Sequence, residues 1–151
     1  MDHVHKVHTP TTYLLHRCDY GAILMFVSVV SLAHYREIDW VAYAIAFAWI
    51  DLVGYLPGAI RYRIAAARGE RLPTLYYVLY NFTHSIAVQI GIIGIWWSVA
   101  GRWNWAMVAG IVHLCGDRAI FGNMFKSTRF PFEHKTNVVS RSDPGVDWVR
   151  P

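Results

Sequence analysis

The chain has 151 residues, 55% of them hydrophobic and only 16% charged, and a net charge of +4. A soluble domain carries roughly 25% charged residues, so this composition excludes a surface built mainly for water, and the length leaves room for one compact domain. The net charge of +4 is small, and the uneven placement of the basic residues along the chain matters more than the total; no nucleic-acid partner is expected.

In chain order, residues 1–18 form a polar, His-rich N-terminal segment that precedes any apolar run, which argues against a signal peptide. Its alternating HVHKVH would suit an extended metal-binding arm, and an unstructured His-rich end explains it equally well. Four apolar stretches follow, at residues 19–35, 40–60, 75–100 and 103–125. The first is short, near the limit of about 17 residues for a spanning helix. Each is apolar on most faces, without the one-sided stripe of a soluble surface helix. The connections REID and GRWN are short, and short connections make consecutive helices antiparallel neighbours. The expectation is an all-α integral membrane protein, an up-down bundle of four transmembrane helices over residues 19–126. A polar cytoplasmic tail, residues 127–151, would lie on the membrane surface or on a partner.

The basic residues orient the bundle. Lys6, Arg17, Arg61, Arg63, Arg68, Arg71, Lys126, Arg129, Lys135, Arg141 and Arg150 fall on one side of the spans, and only Arg36 and Arg102 on the other. The positive-inside rule then places both termini and the middle loop in the cytoplasm. Trp40, Trp96, Trp97, Trp103 and Trp105 would form the interfacial belt at the outer end, with His34 beside them. A soluble bundle would instead have to bury these tryptophans although they flank a loop.

Polar residues interrupt the spans. The second carries Asp51, the third Asn81, His84 and Gln89, and the fourth His113, Asp117 and Arg118. A charge at the centre of a span costs about 2.5–3.5 kcal/mol on insertion scales, so these side chains should face inward and meet partners. At about 1.5 Å rise per residue, Asp51, His84, Asp117 and His113 lie roughly 13–20 Å from the cytoplasmic end. His113 and Asp117 are four apart on one face. Asn81 shares a face with His84, and Asp51 with Tyr55. Gly54 and Gly58 would let a neighbouring helix approach.

Two carboxylates and two imidazoles suit a divalent metal such as zinc, iron or manganese. The same set could be a structural polar zipper or a proton relay. Cys18 and Cys115, far apart and without CxxC spacing, read as small packed hydrophobes.

Three segments carry a family resemblance: IDLVGY at 50–55, YNFTHS at 80–85 and HLCGDRAIFGNMFK at 113–126. Together they resemble a family of small bacterial integral membrane proteins defined as a domain of unknown function. That resemblance implies a four-helix membrane fold in the inner (plasma) membrane. More distantly, Thr83, His84 and Ser85 with His113 and Asp117 resemble motifs of membrane-bound metal-dependent hydrolases. The DHR-type acidic segment of those hydrolases is missing, and only Asp51 could stand in for it.

The functional expectation is a metal site formed by Asp51, His84, His113 and Asp117, which hydrolyses or modifies a lipid-like substrate. Tyr55 or Asn81 would orient that substrate, and Arg118 would hold an anionic head group. The alternatives are a non-catalytic subunit of a larger membrane complex and a proton-handling transporter component.

Overall fold

The structure, a computed structural model, describes residues 10–128 and 131–133. The expectations for the HVHKVH stretch and most of the tail lie outside the described residues. Among the described residues every regular element is helical. Helix α1 spans Pro10–Ala33, and α2 spans Trp40–Ala67. Helices α3 (Thr74–Thr83) and α4 (Ile86–Ala100) follow. A last rod, α5 (residues 105–121), is built of a 3₁₀ turn at Trp105–Val108, an α-helix at Ala109–Gly116 and a π turn at Asp117–Phe121.

Two helices, Thr11–Ala33 and Trp40–Ala67, are long and apolar enough to cross a membrane. The third expected span is broken: α3 and α4 meet at 60°, and the pair counts as one span only if the bend is allowed. The expected fourth span is not one continuous α-helix but the three-part rod α5. The first helix also starts earlier than expected. A proline suits a first turn, and Tyr13 and Arg17 find partners on α5 that keep this polar stretch helical.

Local chemistry explains these boundaries. Asp39 caps α2, its carboxylate accepting from the backbone N–H of Val41 at 3.1 Å and of Ala42 at 3.0 Å. Midway along α2, residues Asp51–Tyr55 widen into a π turn in which the Leu56 N–H donates to the Asp51 carbonyl. Pro57 follows directly, and a proline inside a helix has no N–H to give and crowds the carbonyl four residues back. The widened turn absorbs that misfit.

The core is organised around α5 rather than around chain neighbours. Helix α5 packs against α1, α2 and α4, while α3 packs on the π turn of α2. At the foot of the bundle, the Arg17 guanidinium donates to the carbonyls of Ala119 (2.9 Å) and Ile120 (3.1 Å), and the Tyr13 hydroxyl donates to that of Gly122 at 3.2 Å. These bonds give donors to carbonyls at the end of α5 and just past it, where no intrahelical N–H is left to reach them. Most of α1's apolar side chains stay exposed, including Met25, Phe26, Val29 and Leu32, a surface suited to hydrocarbon.

Part of the tail folds back. Phe132 is fully buried, packed with Ala59, Tyr77 and Tyr80. It lies so close to Gly58 that a Cβ there would collide with its ring. At the opposite end, the indole of Trp105 stacks on His34 (centroids 4.0 Å apart) and donates to Glu37 at 3.1 Å. Trp103 bridges from Trp105 to Trp97 by edge-to-face contacts at 5.6 and 6.1 Å.

Candidate metal centre

Three helices bring Asp51, His84, His113 and Asp117 together, each offering one ligand atom within 4.8 Å of all the others. Asp51 comes from α2, His84 from the α3–α4 break, and His113 and Asp117 from α5. Both carboxylates open π turns, the widened geometry that often marks functional positions.

The spacing is informative. His84 Nε2 lies 3.4 Å from Asp51 Oδ1 and 3.4 Å from Asp117 Oδ2. His113 Nε2 lies 3.5 Å from Asp51 Oδ2 and 3.9 Å from Asp117 Oδ2. These are long for charge-assisted hydrogen bonds, which run to about 2.7–2.9 Å. They match donors around a shared ion: with bonds of about 2.1 Å, the corners of a tetrahedron are roughly 3.4 Å apart. Among the described residues, both Nε2 atoms are buried without a hydrogen-bond partner, as is His113 Nδ1. An unmet buried polar atom costs about 1–3 kcal/mol, and lone pairs shared with a cation would remove that cost for the two Nε2 atoms.

The supporting contacts fix ring orientation. His84 Nδ1 lies 2.9 Å from the Tyr80 carbonyl; with its proton there, Nε2 is left as the acceptor. The ring stacks on Tyr80 at 3.9 Å. Phe47 packs edge-on against His113 at 4.6 Å. Asn123 Nδ2 reaches Asp117 Oδ1 at 3.5 Å, so Asp117 turns its other oxygen to the imidazoles.

The helix break at His84 is held by two long-range bonds. Gln89 Nε2 donates to the Thr83 carbonyl and Arg118 Nη2 to the His84 carbonyl, both at 2.6 Å. Backbone outside a helix is tolerated at membrane depth only where neighbours meet its polar groups. Close approach is the other requirement: a Cβ on Gly54 would collide with Thr83 Oγ1 and lie 3.4 Å from His84 Cε1.

The remaining residues expected at the site fall differently. Arg118 is 3% exposed. Besides the His84 carbonyl, it bonds the Tyr20 hydroxyl and lies over the rings of Tyr20 and Phe125, each at 4.5 Å. It positions His84 and presents no free face to a head group. Asn81 directs both ends of its amide to the backbone of Lys126, donating at 2.8 Å and accepting at 2.7 Å. Tyr55 does line the cavity beside the cluster.

That cavity, about 450 Å³, is lined by Asp51 and Asp117 at one side and by Tyr80, Lys126, Arg63 and Glu133 elsewhere. In the sequence, Lys126 and Arg63 stand out only as topology charges, and nothing marks Tyr80 or Glu133 for a role at the site. The one signal was the lysine that closes the HLCGDRAIFGNMFK segment. Burial pulls the Lys126 ammonium below its usual range, opposed by the negative charges of Glu133 and Asp117.

Comparison with family models, curated proteins and solved structures finds no match for this chain.

Proposed function

We propose that this protein is a four-span membrane protein whose interior binds one divalent metal ion through Asp51, His84, His113 and Asp117. The spans are α1, α2, the bent α3–α4 pair and α5, with both termini in the cytoplasm of a bacterial inner membrane. One observation carries the metal reading: four ligand atoms from α2, the α3–α4 break and α5 converge within 4.8 Å, with two buried imidazole nitrogens that hydrogen-bond to none of the described residues. The mixed nitrogen and oxygen donors suit zinc, iron or manganese.

The activity that follows is hydrolysis or modification of a lipid-like substrate entering from the cytoplasmic leaflet. A divalent ion there would polarise an ester oxygen and make water a nucleophile near neutral pH. Asp51 is half exposed to the cavity while the two histidines are buried, which leaves an open approach on the carboxylate side. Tyr55, on the cavity wall, is placed to contact the substrate.

Metal analysis of the detergent-purified protein tests the first half, with about one ion per chain expected. Protein free of metal after growth with zinc, iron and manganese would refute it and favour a structural ion-pair layer. Single cysteines at Arg102 and Glu70 test the orientation. The first should react with an impermeant thiol reagent outside the cell and the second should not; the reverse pattern would overturn the topology.

A further inference from the structure

The cavity beside the cluster has a second charged feature, and it is built rather than incidental. Asn81 clamps the Lys126 backbone with two hydrogen bonds. The ammonium itself donates to the Phe132 carbonyl and sits over the rings of Tyr80 and Phe132, at 4.7 Å each, and of Tyr55 at 5.7 Å. An ammonium has three protons to donate, and the Phe132 carbonyl takes one. Three aromatic rings stabilise the charge but accept no strong hydrogen bond. Among the described residues, Lys126 therefore lines the cavity with donors to spare.

The ammonium and the two carboxylates of the cluster line one cavity, and the Tyr80 ring touches both the ammonium and His84. The Tyr80 ring stacks on His84 at 3.9 Å and faces Lys126 Nζ at 4.7 Å. The ammonium and the imidazole can be no further apart than those two distances combined. A tetrahedral oxyanion in that cavity can direct one oxygen to the cluster and another to the ammonium.

Charge decides which ligand fits. Arg63 pairs with Glu133 at 3.4 Å, so these two largely cancel. The remaining groups on the wall are Asp51, Asp117 and Lys126. With a divalent ion in place the two carboxylates are neutralised and the cavity carries one net positive charge. Without it the cavity is net negative and repels anions.

We propose that the cavity binds the phosphate of a phosphomonoester between the metal and the Lys126 ammonium, and does so only in the metal-loaded protein. This rests on the metal reading above. It gives Lys126, in place of Arg118, the role of holding the anionic group. The volume of about 450 Å³ admits a head group but not a whole lipid. The phosphate could come from a lipid head group or a soluble ester.

The test uses full-length protein in phosphatidylcholine nanodiscs, with metal content measured on every sample. One arm titrates inorganic phosphate by calorimetry. The other follows ³¹P line broadening of phosphatidic acid incorporated in the discs, with manganese loaded. Binding in the first arm points to a soluble source and binding in the second alone to a lipid; either supports the proposal. Lys126→Gln should keep its metal and lose affinity roughly tenfold or more, as expected for a charge-assisted bond. Should Lys126→Gln fail to fold, Lys126→Arg, which keeps the charge, replaces it and should retain binding. Metal-loaded wild type that binds neither phosphate overturns the proposal, as does unchanged affinity in metal-loaded Lys126→Gln or lost affinity in metal-loaded Lys126→Arg. A wild type without metal refutes the metal reading instead, and the metal assay reads that out separately.

Discussion

Replacing Gly54 by alanine tests whether close helix approach is what holds His84 in the cluster. The added methyl would lie 3.0 Å from Thr83 Cβ and 3.4 Å from His84 Cε1, and would collide with Thr83 Oγ1. That hydroxyl has no easy retreat. It bonds the carbonyls of Leu79 and Tyr80 at 3.1 Å each and lies 3.0 Å from His84 Nδ1. Relief must come from moving α3 away from α2, which carries His84 away from Asp51. Overpacking of this kind costs about 1–3 kcal/mol, equivalent to roughly five- to 150-fold in an equilibrium constant. Metal affinity, measured by competition with a chelating dye, should fall by about tenfold within that range, and the melting temperature should drop with it. Thr83→Ala in the Gly54→Ala background removes the oxygen collision and should recover part of the loss, so the two substitutions should not be additive. Wild-type affinity and stability in Gly54→Ala, or strictly additive effects in the pair, would refute the reasoning.

Four further outcomes are expected. His113→Ala should lose the metal yet still fold, because a neutral imidazole leaves no stranded charge; an ion-pair layer instead predicts a loss of roughly 3–5 kcal/mol, read as a collapse in thermal stability. Phe132→Ala should destabilise the protein by about 3–5 kcal/mol, measured by chemical denaturation in micelles, since the ring is fully buried under Gly58. Arg118→Leu should weaken metal binding by about 10–100-fold, the usual effect of removing a group that orients a ligand, and an unchanged metal affinity would show that the His84 carbonyl bond does not matter. In the loop between α1 and α2, hydrogen bonds from His34 and then Trp105 hold Glu37 below its ordinary carboxyl value of 4.5. Because the folded value is lowered, the Glu37–Trp105 clasp should hold at neutral pH and be lost only as acid passes below that range. Tryptophan emission titrated with acid should show the step, and Glu37→Gln should abolish it.

That this chain is helical and apolar enough to enter a membrane follows from composition and run length alone. The sequence also marks which polar residues must meet. Asp51, His84, His113 and Asp117 share one depth by helix rise alone, and isolated charges in apolar helices need partners. The lengths and breaks of the helices were only partly legible. Pro57 follows the π turn at Asp51 visibly in the sequence, but nothing local marks His84 as a 60° bend; that bend is held by Gln89 and by Arg118, thirty-four residues away. For the same reason Arg118 read as free for an anion, when a backbone carbonyl, a tyrosine hydroxyl and two rings occupy it. Only the tertiary structure placed Lys126 on the cavity, because its position depends on Asn81 and on Phe132 folding back against Gly58. Helical period and depth are properties of one segment, and residues report them locally. What a long polar side chain does is set by which distant carbonyl or ring comes within a few ångströms, and that information exists only once the helices have packed.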